Sequence, residues 1–308
     1  MTSAVSLKAG RRSVPIHRPD KVLFPEDGIS KADLADYYHT VAGRMLPHLR
    51  DRPLMLERRP DGIGGPSFMQ KDVPDYFPEW IRTAELPKEH GTVDYLIADD
   101  AATLLYLADQ ACVTLHRFLS KADRPHTPDR LVFDLDPGAD DFPTVLHAAK
   151  LLHELLDELE LPSAVMTTGS RGLHVLVPLV RNADFDDVRA FARAVADLLA
   201  ERHPEQLTTE ASKKARRGRL YLDVQRNGYA QTAVAPYSVR ALPGAPVATP
   251  LAWAELDEQG THPRRWTIAN MAERLEEDDP WTGALDHGHS VAGAAKRLKG
   301  LRPSVTRP

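Results

Sequence analysis

Residues 131–180 read LVFDLDPGADDFPTVLHAAKLLHELLDELELPSAVMTTGSRGLHVLVPLV, and this stretch has the clearest pattern of strands and helices in the sequence. Short apolar runs at 131–137 and 163–168 predict two strands. Between them, residues 142–160 place apolar side chains at helical spacing, which predicts a long helix. The turn GSRG then leads into a further apolar strand. Because strands alternate with a helix, the segment predicts an α/β or α+β (mixed α/β) domain with a mixed sheet.

The flanking sequence extends this pattern in both directions. Residues 30–48 begin with Ser30, a favourable N-cap, and carry apolar residues at helical spacing, so they predict an amphipathic helix. Other helices are predicted over 100–111 and 185–203, and other strands over 52–60, 92–97 and 219–224.

Composition limits the class of protein. A chain of 308 residues can bury a substantial core without disulfide or metal staples. Its single cysteine, Cys112, lies in an apolar run and excludes an internal disulfide framework. The sequence has neither a signal peptide nor an apolar stretch long enough to cross a membrane, which predicts a cytoplasmic protein. The formal charge is −5, yet residues 213–219 (KKARRGR) predict a basic face, with a solvated basic loop as the alternative.

Three aspartates are candidates for metal chemistry. Asp134 and Asp136 stand two apart in a predicted strand, so their side chains point to one face. Asp223 lies among apolar residues of another predicted strand, where an unpaired carboxylate is costly to bury. Three carboxylates can hold two hard cations, Mg²⁺ or Mn²⁺, in the arrangement used for nucleotidyl transfer. Two alternatives stay open: Asp136 can begin a turn, and Asp223 can pair with Arg219 or Arg226.

The turn in the central segment is a candidate phosphate cradle. Gly169 and Gly172 permit close approach of the backbone, whose N–H groups can bind phosphate oxygens. The hydroxyls of Thr168 and Ser170 and the guanidinium of Arg171 can bind the same oxygens. An ordinary hairpin turn explains the glycines equally well.

Three more polar residues occupy otherwise apolar or proline-rich segments: His116, His174 and Arg240. Each can belong to the same site. A single histidine in an apolar strand is, however, more often a core residue than a ligand.

Several long motifs occur in a fixed order, and together they resemble a known family. They are DLDPG (134–138), TTGSRGLHV (167–175), LYLDVQRN (220–227) and TAVAPYSVRALPGAPVATPL (232–251). This order resembles the polymerase domain of bacterial ligase D, a member of the archaeo-eukaryotic primase superfamily that acts in non-homologous end joining beside Ku. The N-terminal stretches HRPDKVLFPEDGISKADLADYY (17–38) and PSFMQKDVPDYFPEW (66–80) share the likeness.

The resemblance implies a primase-polymerase-like catalytic domain over residues 15–282, with a central mixed or antiparallel sheet flanked by helices. Residues 1–14 are then expected to be a flexible segment, and residues 283–308 a basic, loosely ordered tail. The chain carries neither the lysine motif of a DNA ligase nor a histidine-rich phosphoesterase segment. Its Met start and basic tail favour a standalone polymerase over an excised domain.

The resemblance also assigns roles. Asp134, Asp136 and Asp223 match the metal-binding triad, with His116 as a further catalytic position. The nucleotide-binding set is Thr168, Ser170, Arg171, His174 and Arg240, in which Thr168 and Arg171 stand where the family commonly has Ser and Lys. Both replacements keep the hydroxyl and the cation.

The DNA contacts implied by the resemblance lie elsewhere in the chain. Lys21 and Lys31 match lysines that bind the 5′ phosphate beyond a gap, and Arg18 stands where an Asn is common. The alternative is a pair of ordinary surface lysines. Template and primer contacts are implied for Phe68, Met69 and Arg216, with Met69 replacing the second of two stacking aromatics.

The function implied is template-directed nucleotidyl transfer to 3′ ends at DNA gaps and double-strand breaks, with NTPs preferred over dNTPs and with template-independent addition as a further option. The partners implied are DNA with 5′-phosphorylated ends or gaps, NTP or dNTP, Ku and a DNA ligase, in a nucleoid-associated cytoplasmic protein with no membrane contact. Alternatives are a primase that starts chains de novo, a noncatalytic DNA-end-bridging protein and a metal-dependent phosphohydrolase.

Overall fold

The computed structural model describes residues 4–137 and 141–301. Its seven α-helices in these residues are α1 Lys31–Leu49, α2 Ala101–Asp109, α3 Phe142–Glu158, α4 Phe185–Arg202, α5 Lys213–Arg216, α6 Met271–Glu276 and α7 Val291–Leu301. Within the described residues, no helix is both long and apolar enough to span a membrane.

The same residues contain sixteen strands. They are β1 Ala4–Ala9, β2 Arg12–His17, β3 Val22–Phe24, β4 Ile29–Ser30, β5 Leu54–Arg58, β6 Phe68–Gln70, β7 Thr83–Pro87, β8 Thr92–Leu96, β9 Cys112–Phe118, β10 Arg130–Asp136, β11 Ala164–Thr167, β12 Leu173–Pro178, β13 Leu207–Thr208, β14 Leu220–Asp223, β15 Thr232–Val234 and β16 Pro250–Leu251. The predicted mixed α/β class is confirmed, as are the strands and helices predicted over 131–203.

The central segment forms most of a six-stranded sheet, in the order β13-β14-β10-β12-β11-β16. Every strand pair in it is antiparallel except β13 with β14, so the sheet is mixed, as predicted. One face is apolar, as in Leu131, Phe133 and Leu135 of β10, and packs against α3 and α4. Because successive strand residues alternate in direction, the intervening residues of β10 project from the opposite face.

A second, four-stranded sheet has the order β15-β9-β5-β6. One of its faces joins a core built with α1 and α2. A small cluster that includes Val132 and Leu176 from the first sheet and Val234 from the second connects the two sheets. The two sheets therefore pack together at this cluster.

Helix α1 shows why the predicted helix begins where it does. The Ser30 hydroxyl accepts a hydrogen bond from the Asp33 N–H, and the Asp33 side chain accepts one from the Ser30 N–H, which forms a capping box. Leu34, Tyr38 and Val41 then follow at helical spacing and are fully buried.

The N-terminal expectation differs from the structure. Residues 4–14 were expected to be flexible, but β1 and β2 pair along their whole length and β2 packs on α2. The reason is a short alternation: Val14 and Ile16 point inward and are almost fully buried. Residues 1–3 lie outside the described residues.

The C-terminal expectation differs as well. Residues 291–301 form helix α7, which packs on α4 instead of belonging to a loosely ordered tail. Val291, Ala294 and Leu298 lie at helical spacing and enter the core, so composition rich in Gly, Ala and Lys concealed an amphipathic pattern. Gly138, expected in the turn after Asp136, and residues 302–308 lie outside the described residues.

Candidate active site

The site is built on the polar face at the end of β10. Asp134 is paired in register with Asp223 on β14 and with His174 on β12. Cross-strand partners project to the same face, and so does Asp136, two residues further along β10. The strand register therefore brings the three predicted carboxylates and His174 onto one surface.

Asp134 is buried and held by two cationic or polar neighbours. Its Oδ2 atom lies 3.2 Å from Arg226 Nε, and its Oδ1 atom lies 3.5 Å from His174 Nε2. Burial raises the pKa of Asp134, but His174 and Arg226 outweigh that effect and bring the pKa to about 2. Asp134 is therefore ionised at neutral pH and can bind a cation.

Asp136 is half-exposed and pairs with the phosphate-cradle arginine. Its Oδ2 atom accepts a hydrogen bond of 2.7 Å from Arg171. Burial raises the pKa of Asp136, and the charge of Asp134 adds to the rise, while Arg171 opposes it. Like charges on one strand face favour a cation between or beside them.

Hydrogen bonds of the Thr168 side chain hold together the turn that follows β11. The Thr168 hydroxyl donates to the Gly172 carbonyl (3.1 Å) and accepts from the Gly172 N–H (3.3 Å). A Cβ at Gly172 would lie 2.0 Å from the Leu135 carbonyl oxygen, so only glycine lets the turn approach β10 this closely. Gly169 adopts φ +65°, the left-handed region. The glycines thus place Ser170 and Arg171 beside the carboxylates.

Two residues reach the site from the rest of the fold. Arg240 donates a hydrogen bond of 2.8 Å to the Thr168 carbonyl, while its buried Nε has no partner in the described part of the chain. His116 lies on β9 of the second sheet, and burial, followed by Arg240, Arg226 and His174, lowers its pKa to about 3. His116 is therefore neutral at physiological pH.

A single cavity collects most of these groups. It is lined by His116, Asp134, Asp136, Thr168, Ser170, Arg171, His174, Arg226, Val234 and Arg240. The structure thus brings together every predicted nucleotide-binding residue, the histidine predicted to be catalytic and two of the three aspartates predicted to bind metal. Asp223 lies at the edge of this set, in register opposite Asp134.

The fit to metal ions depends on the carboxylates. Their oxygens are the donors that Mg²⁺ and Mn²⁺ prefer. In the described residues, no three His, Cys, Asp or Glu side chains are grouped closely enough to form a metal site. Asp134 and Asp136 instead have arginine partners, and Asp223 Oδ1 accepts from the Gln225 N–H (2.8 Å). The donor types fit, and in this structure each arginine contacts one carboxylate oxygen, Oδ2 of Asp134 or of Asp136.

The alternative partners considered for Asp223 are not used. Arg226 pairs with Asp134 instead. Arg219 donates to backbone carbonyl groups, including that of Arg216 at 2.9 Å. The carboxylate of Asp223 therefore forms no ion pair with either of these two arginines.

The predicted 5′-phosphate residues cluster at the start of α1. The Lys21 N–H donates to the Arg18 carbonyl, and the Lys31 N–H donates to the Lys21 carbonyl. Lys21 is partly exposed and pairs with Asp61 at 3.2 Å. Lys31 is buried, and its Nζ lies 3.2 Å from the buried Asp109. The interpretation of Lys31 as a surface lysine is therefore wrong.

Asp109 explains why Lys31 is buried. Besides Lys31, it accepts hydrogen bonds from the His17 backbone N–H at 2.7 Å and the His17 Nδ1 at 3.0 Å. Burial lowers the pKa of Lys31, and Asp109 opposes that shift. The Lys31–Asp109 ion pair connects α1 to the end of α2, and the hydrogen bonds from His17 connect Asp109 to β2.

Phe68 and Met69 lie on β6, at the edge of the second sheet, and both are 45% exposed. They project to opposite faces. Met69 pairs with Glu57, on the face that also carries His116, whereas Phe68 lies 5.2 Å beneath the Arg58 guanidinium. Only Met69 thus shares a sheet face with the cavity.

Arg216 is not a freely solvated basic residue. Its guanidinium stacks 4.2 Å from the ring of Tyr221, which is paired in register with Asp136. It also donates to the Ala211 carbonyl at 2.8 Å. Arg216 is therefore fixed near the carboxylates.

The amino-acid sequence also matches a known protein family. The sequence model of the family described as "LigD, primase-polymerase domain" matches residues 30–281. The chain belongs to this family. The resemblance read from the motifs is confirmed.

LigD relatives match nearly the whole chain. The Mycobacterium tuberculosis H37Rv protein named "Multifunctional non-homologous end joining DNA repair protein LigD" is 32% identical over 309 residues, which covers 97% of this chain and 40% of the relative. The Pseudomonas aeruginosa "Multifunctional non-homologous end joining protein LigD" is 34% identical, with 97% and 36% coverage. The chain thus spans 36–40% of the length of these relatives.

A solved structure of the LigD family has the same fold. The "Polymerase Domain from Mycobacterium tuberculosis Ligase D in complex with DNA" superposes with a TM-score of 0.83 at 32% identity. The match covers 90% of this chain and 98% of that one. The primase-polymerase-like fold predicted from the motifs is therefore confirmed.

Sequence reasoning missed two residues that contact β10 at this site. Arg226 was considered only as a partner of Asp223, but it holds Asp134. The buried Asn227 accepts from the Val132 N–H and donates to the Val132 carbonyl, which fastens β10 beside β14. Both stand in the motif LYLDVQRN, so their nearness to Asp223 in sequence was the available signal.

Proposed function

We propose that this chain transfers nucleotides to DNA 3′ ends at gaps and double-strand breaks. The observation that supports this most strongly is the cavity itself. Asp134 and Asp136 lie beside the turn of Thr168, Ser170 and Arg171 in one cavity, with Asp223 in register opposite Asp134. Phosphate-binding groups next to acids that bind hard cations are what nucleotidyl transfer requires.

The proposed metal ligands are Asp134, Asp136 and Asp223. Two Mg²⁺ or Mn²⁺ ions, when bound, would activate the 3′ hydroxyl and stabilise the leaving pyrophosphate. Arg171, which pairs with Asp136 at 2.7 Å, would then be free to bind a triphosphate oxygen. Arg240 would keep the turn in place through the Thr168 carbonyl.

The proposed polymer substrate is DNA with a 5′-phosphorylated end. Two observations support it: the relatives are named for non-homologous end joining, and the similar solved domain is in complex with DNA. Lys21 and Arg18 supply cations beside the start of α1. Ku and a DNA ligase are the proposed protein partners.

We expect ribonucleotides to be preferred over deoxyribonucleotides. The Thr168 hydroxyl is already engaged within its turn, which leaves neutral His116 as the better candidate to bond a 2′ hydroxyl. A polar group left unpaired by dNTP costs about 1–3 kcal/mol, so the preference should be about tenfold or more. His116→Ala should reduce the preference for NTP over dNTP. Equal catalytic efficiency for NTP and dNTP in the unmodified protein would refute the expected preference.

One assay separates this function from its alternatives. A 5′-phosphorylated gapped duplex is incubated with Mn²⁺ and either NTP or dNTP, and a single-stranded template without primer is tested in parallel. Extension of the gapped duplex alone supports the proposal. Products on the unprimed template favour a primase, and DNA binding without any addition favours an end-bridging protein.

A further inference from the structure

A second polar cavity lies at the opposite end of β10, where Asp129 and Arg130 precede the buried part of the strand. Its volume is about 560 Å³. Five cationic side chains and two carboxylates line it: Arg52, Lys121, Arg124, Arg130 and Arg181, with Asp129 and Asp286. Six residue steps along β10 separate it from Asp136, or about 20 Å. It is therefore separate from the candidate active site.

The floor of this cavity holds more positive than negative charge. Arg52 forms a two-pronged ion pair with Asp129, at 2.7 and 2.6 Å. Arg130 lies 3.7 Å from the same carboxylate. Arg117, whose charge also acts on Asp129, is 2% exposed and donates to the His48 carbonyl. Arg52 and Arg130 thus share the carboxylate of Asp129 at the floor, the charge of Arg117 is buried nearby, and the exposed Asp286 acts on Arg130.

Burial and these charges shift the pKa of two neighbouring groups. Burial, followed by Arg52 and Arg130, lowers the pKa of Arg117 well below its usual value. Burial and the same arginines, with Arg117 foremost, lower the pKa of buried His48 in the same way. Burying uncompensated charge is costly, and an anion from solution would offset that cost.

Unused hydrogen-bond donors accompany the charge. Arg130 Nε and Arg181 Nε are buried and have no hydrogen-bond partner among the described residues. Arg181 otherwise pairs with Asp123 through both terminal nitrogens. At the mouth, Lys121 has only a distant carboxylate, Asp51 at 3.9 Å, and the Arg124 side chain is exposed.

We propose that this cavity binds a phosphate group. Guanidinium groups bind phosphate through paired N–H donors, and the cavity combines several of them with an excess of positive charge. Its volume accommodates a phosphate with bound water. The group can belong to the backbone of bound DNA or to free phosphate, and both present the same charged oxygens.

The test begins with inorganic phosphate, added at constant ionic strength while the melting temperature of the whole chain is measured. An anion that binds the folded state raises that temperature. The double variant Lys121→Gln, Arg124→Gln should need at least about tenfold more phosphate for the same rise in melting temperature, because two charge-assisted contacts are lost. If the double variant does not fold, Arg124→Gln alone serves.

One control removes equal charge elsewhere. Lys150→Gln with Arg202→Gln removes two positive charges on α3 and α4, away from the cavity. This variant should respond to phosphate as the unmodified protein does. A phosphate response of the Lys121 and Arg124 variant that matches the unmodified protein overturns the proposal, whatever the DNA result.

Binding of a short duplex with hydroxyl ends then distinguishes the two sources of phosphate. If the phosphate group belongs to DNA, the double variant binds the duplex more weakly. The slope of log K for duplex binding against log salt concentration should then become smaller in magnitude by about 1 to 2. If the source is free phosphate, duplex binding is unchanged while the phosphate response is lost. Both results support the proposed site and identify its ligand.

Discussion

Gly172 is the residue that lets the turn of residues 168–172, the candidate phosphate cradle, approach β10. A Cβ there would meet the Leu135 carbonyl oxygen at 2.0 Å, and that backbone is fixed within the sheet. We predict that Gly172→Ala destabilises the protein by about 1–3 kcal/mol, because the turn must move away from β10. Urea unfolding measures the free energy directly.

Gly43 provides the matched control. It lies in α1, its added Cβ would meet nothing within 4 Å, and it is exposed. Gly43→Ala should therefore stabilise the protein slightly, by up to about 1 kcal/mol, through helix propensity. Equal free energies of unfolding for the two variants would contradict the steric account of Gly172.

Lys21 and Lys31 call for separate tests, because the structure gives them different surroundings. Lys21→Ala should abolish the difference in affinity between gapped duplexes with and without a 5′ phosphate. The expected loss is about tenfold to a hundredfold at low salt and smaller at high salt. Fluorescence anisotropy measures it, with exposed Lys8→Ala as the control.

Lys31→Ala is expected to act mainly on stability. It leaves the buried Asp109 carboxylate without its lysine partner, which lies 3.2 Å away. A Lys31→Ala variant with unchanged melting temperature and lost phosphate discrimination would show that Lys31 binds DNA directly. Unchanged discrimination in Lys21→Ala would refute the assignment of Lys21.

At the scale of elements, the Arg52–Asp129 pair joins the two sheets, since Arg52 precedes β5 and Asp129 precedes β10. Although burial opposes it, the charge of Arg52 lowers the pKa of Asp129 from 3.8 to about 2. Asp129→Asn should cost about 3–5 kcal/mol at neutral pH, because a buried pair is broken. Denaturant unfolding measures this.

The pH dependence of that cost has a definite sign. Because the folded-state pKa of Asp129 is depressed, its stabilisation is present above about pH 4 and is lost as the pH falls towards 2. The difference in unfolding free energy between the unmodified protein and Asp129→Asn should therefore shrink below pH 4. A difference that stays constant down to pH 2 would contradict this account.

The local spacing of apolar residues predicted most helices and strands. It failed where a segment has only two or three apolar residues that mark its buried face. The capping residue Ser30 and the apolar spacing after it predict α1 to within a residue. Helix α7 was missed because only Val291, Ala294 and Leu298 mark its buried face. Strands β1 and β2 were missed because two inward residues, Val14 and Ile16, hold them to the core.

At the scale of the whole molecule, the sequence predicts which residues form the cavity but not how they are paired. Spacing places Asp134 and Asp136 on one face, whereas only the strand register sets Asp223 opposite Asp134. The burial of Lys31 could not be predicted, because Asp109 lies 78 residues away in the chain. Tertiary ion pairs of this kind leave no local signal.

The role of the three aspartates in nucleotidyl transfer is tested by the rate of nucleotide addition to a gapped duplex. Asp134→Asn, Asp136→Asn and Asp223→Asn are compared with Asp157→Asn, an exposed carboxylate on α3. The first three variants should each lose about a hundredfold or more in rate with DNA binding retained, and the control should stay active. Rates within a few-fold of the control in all three would contradict it.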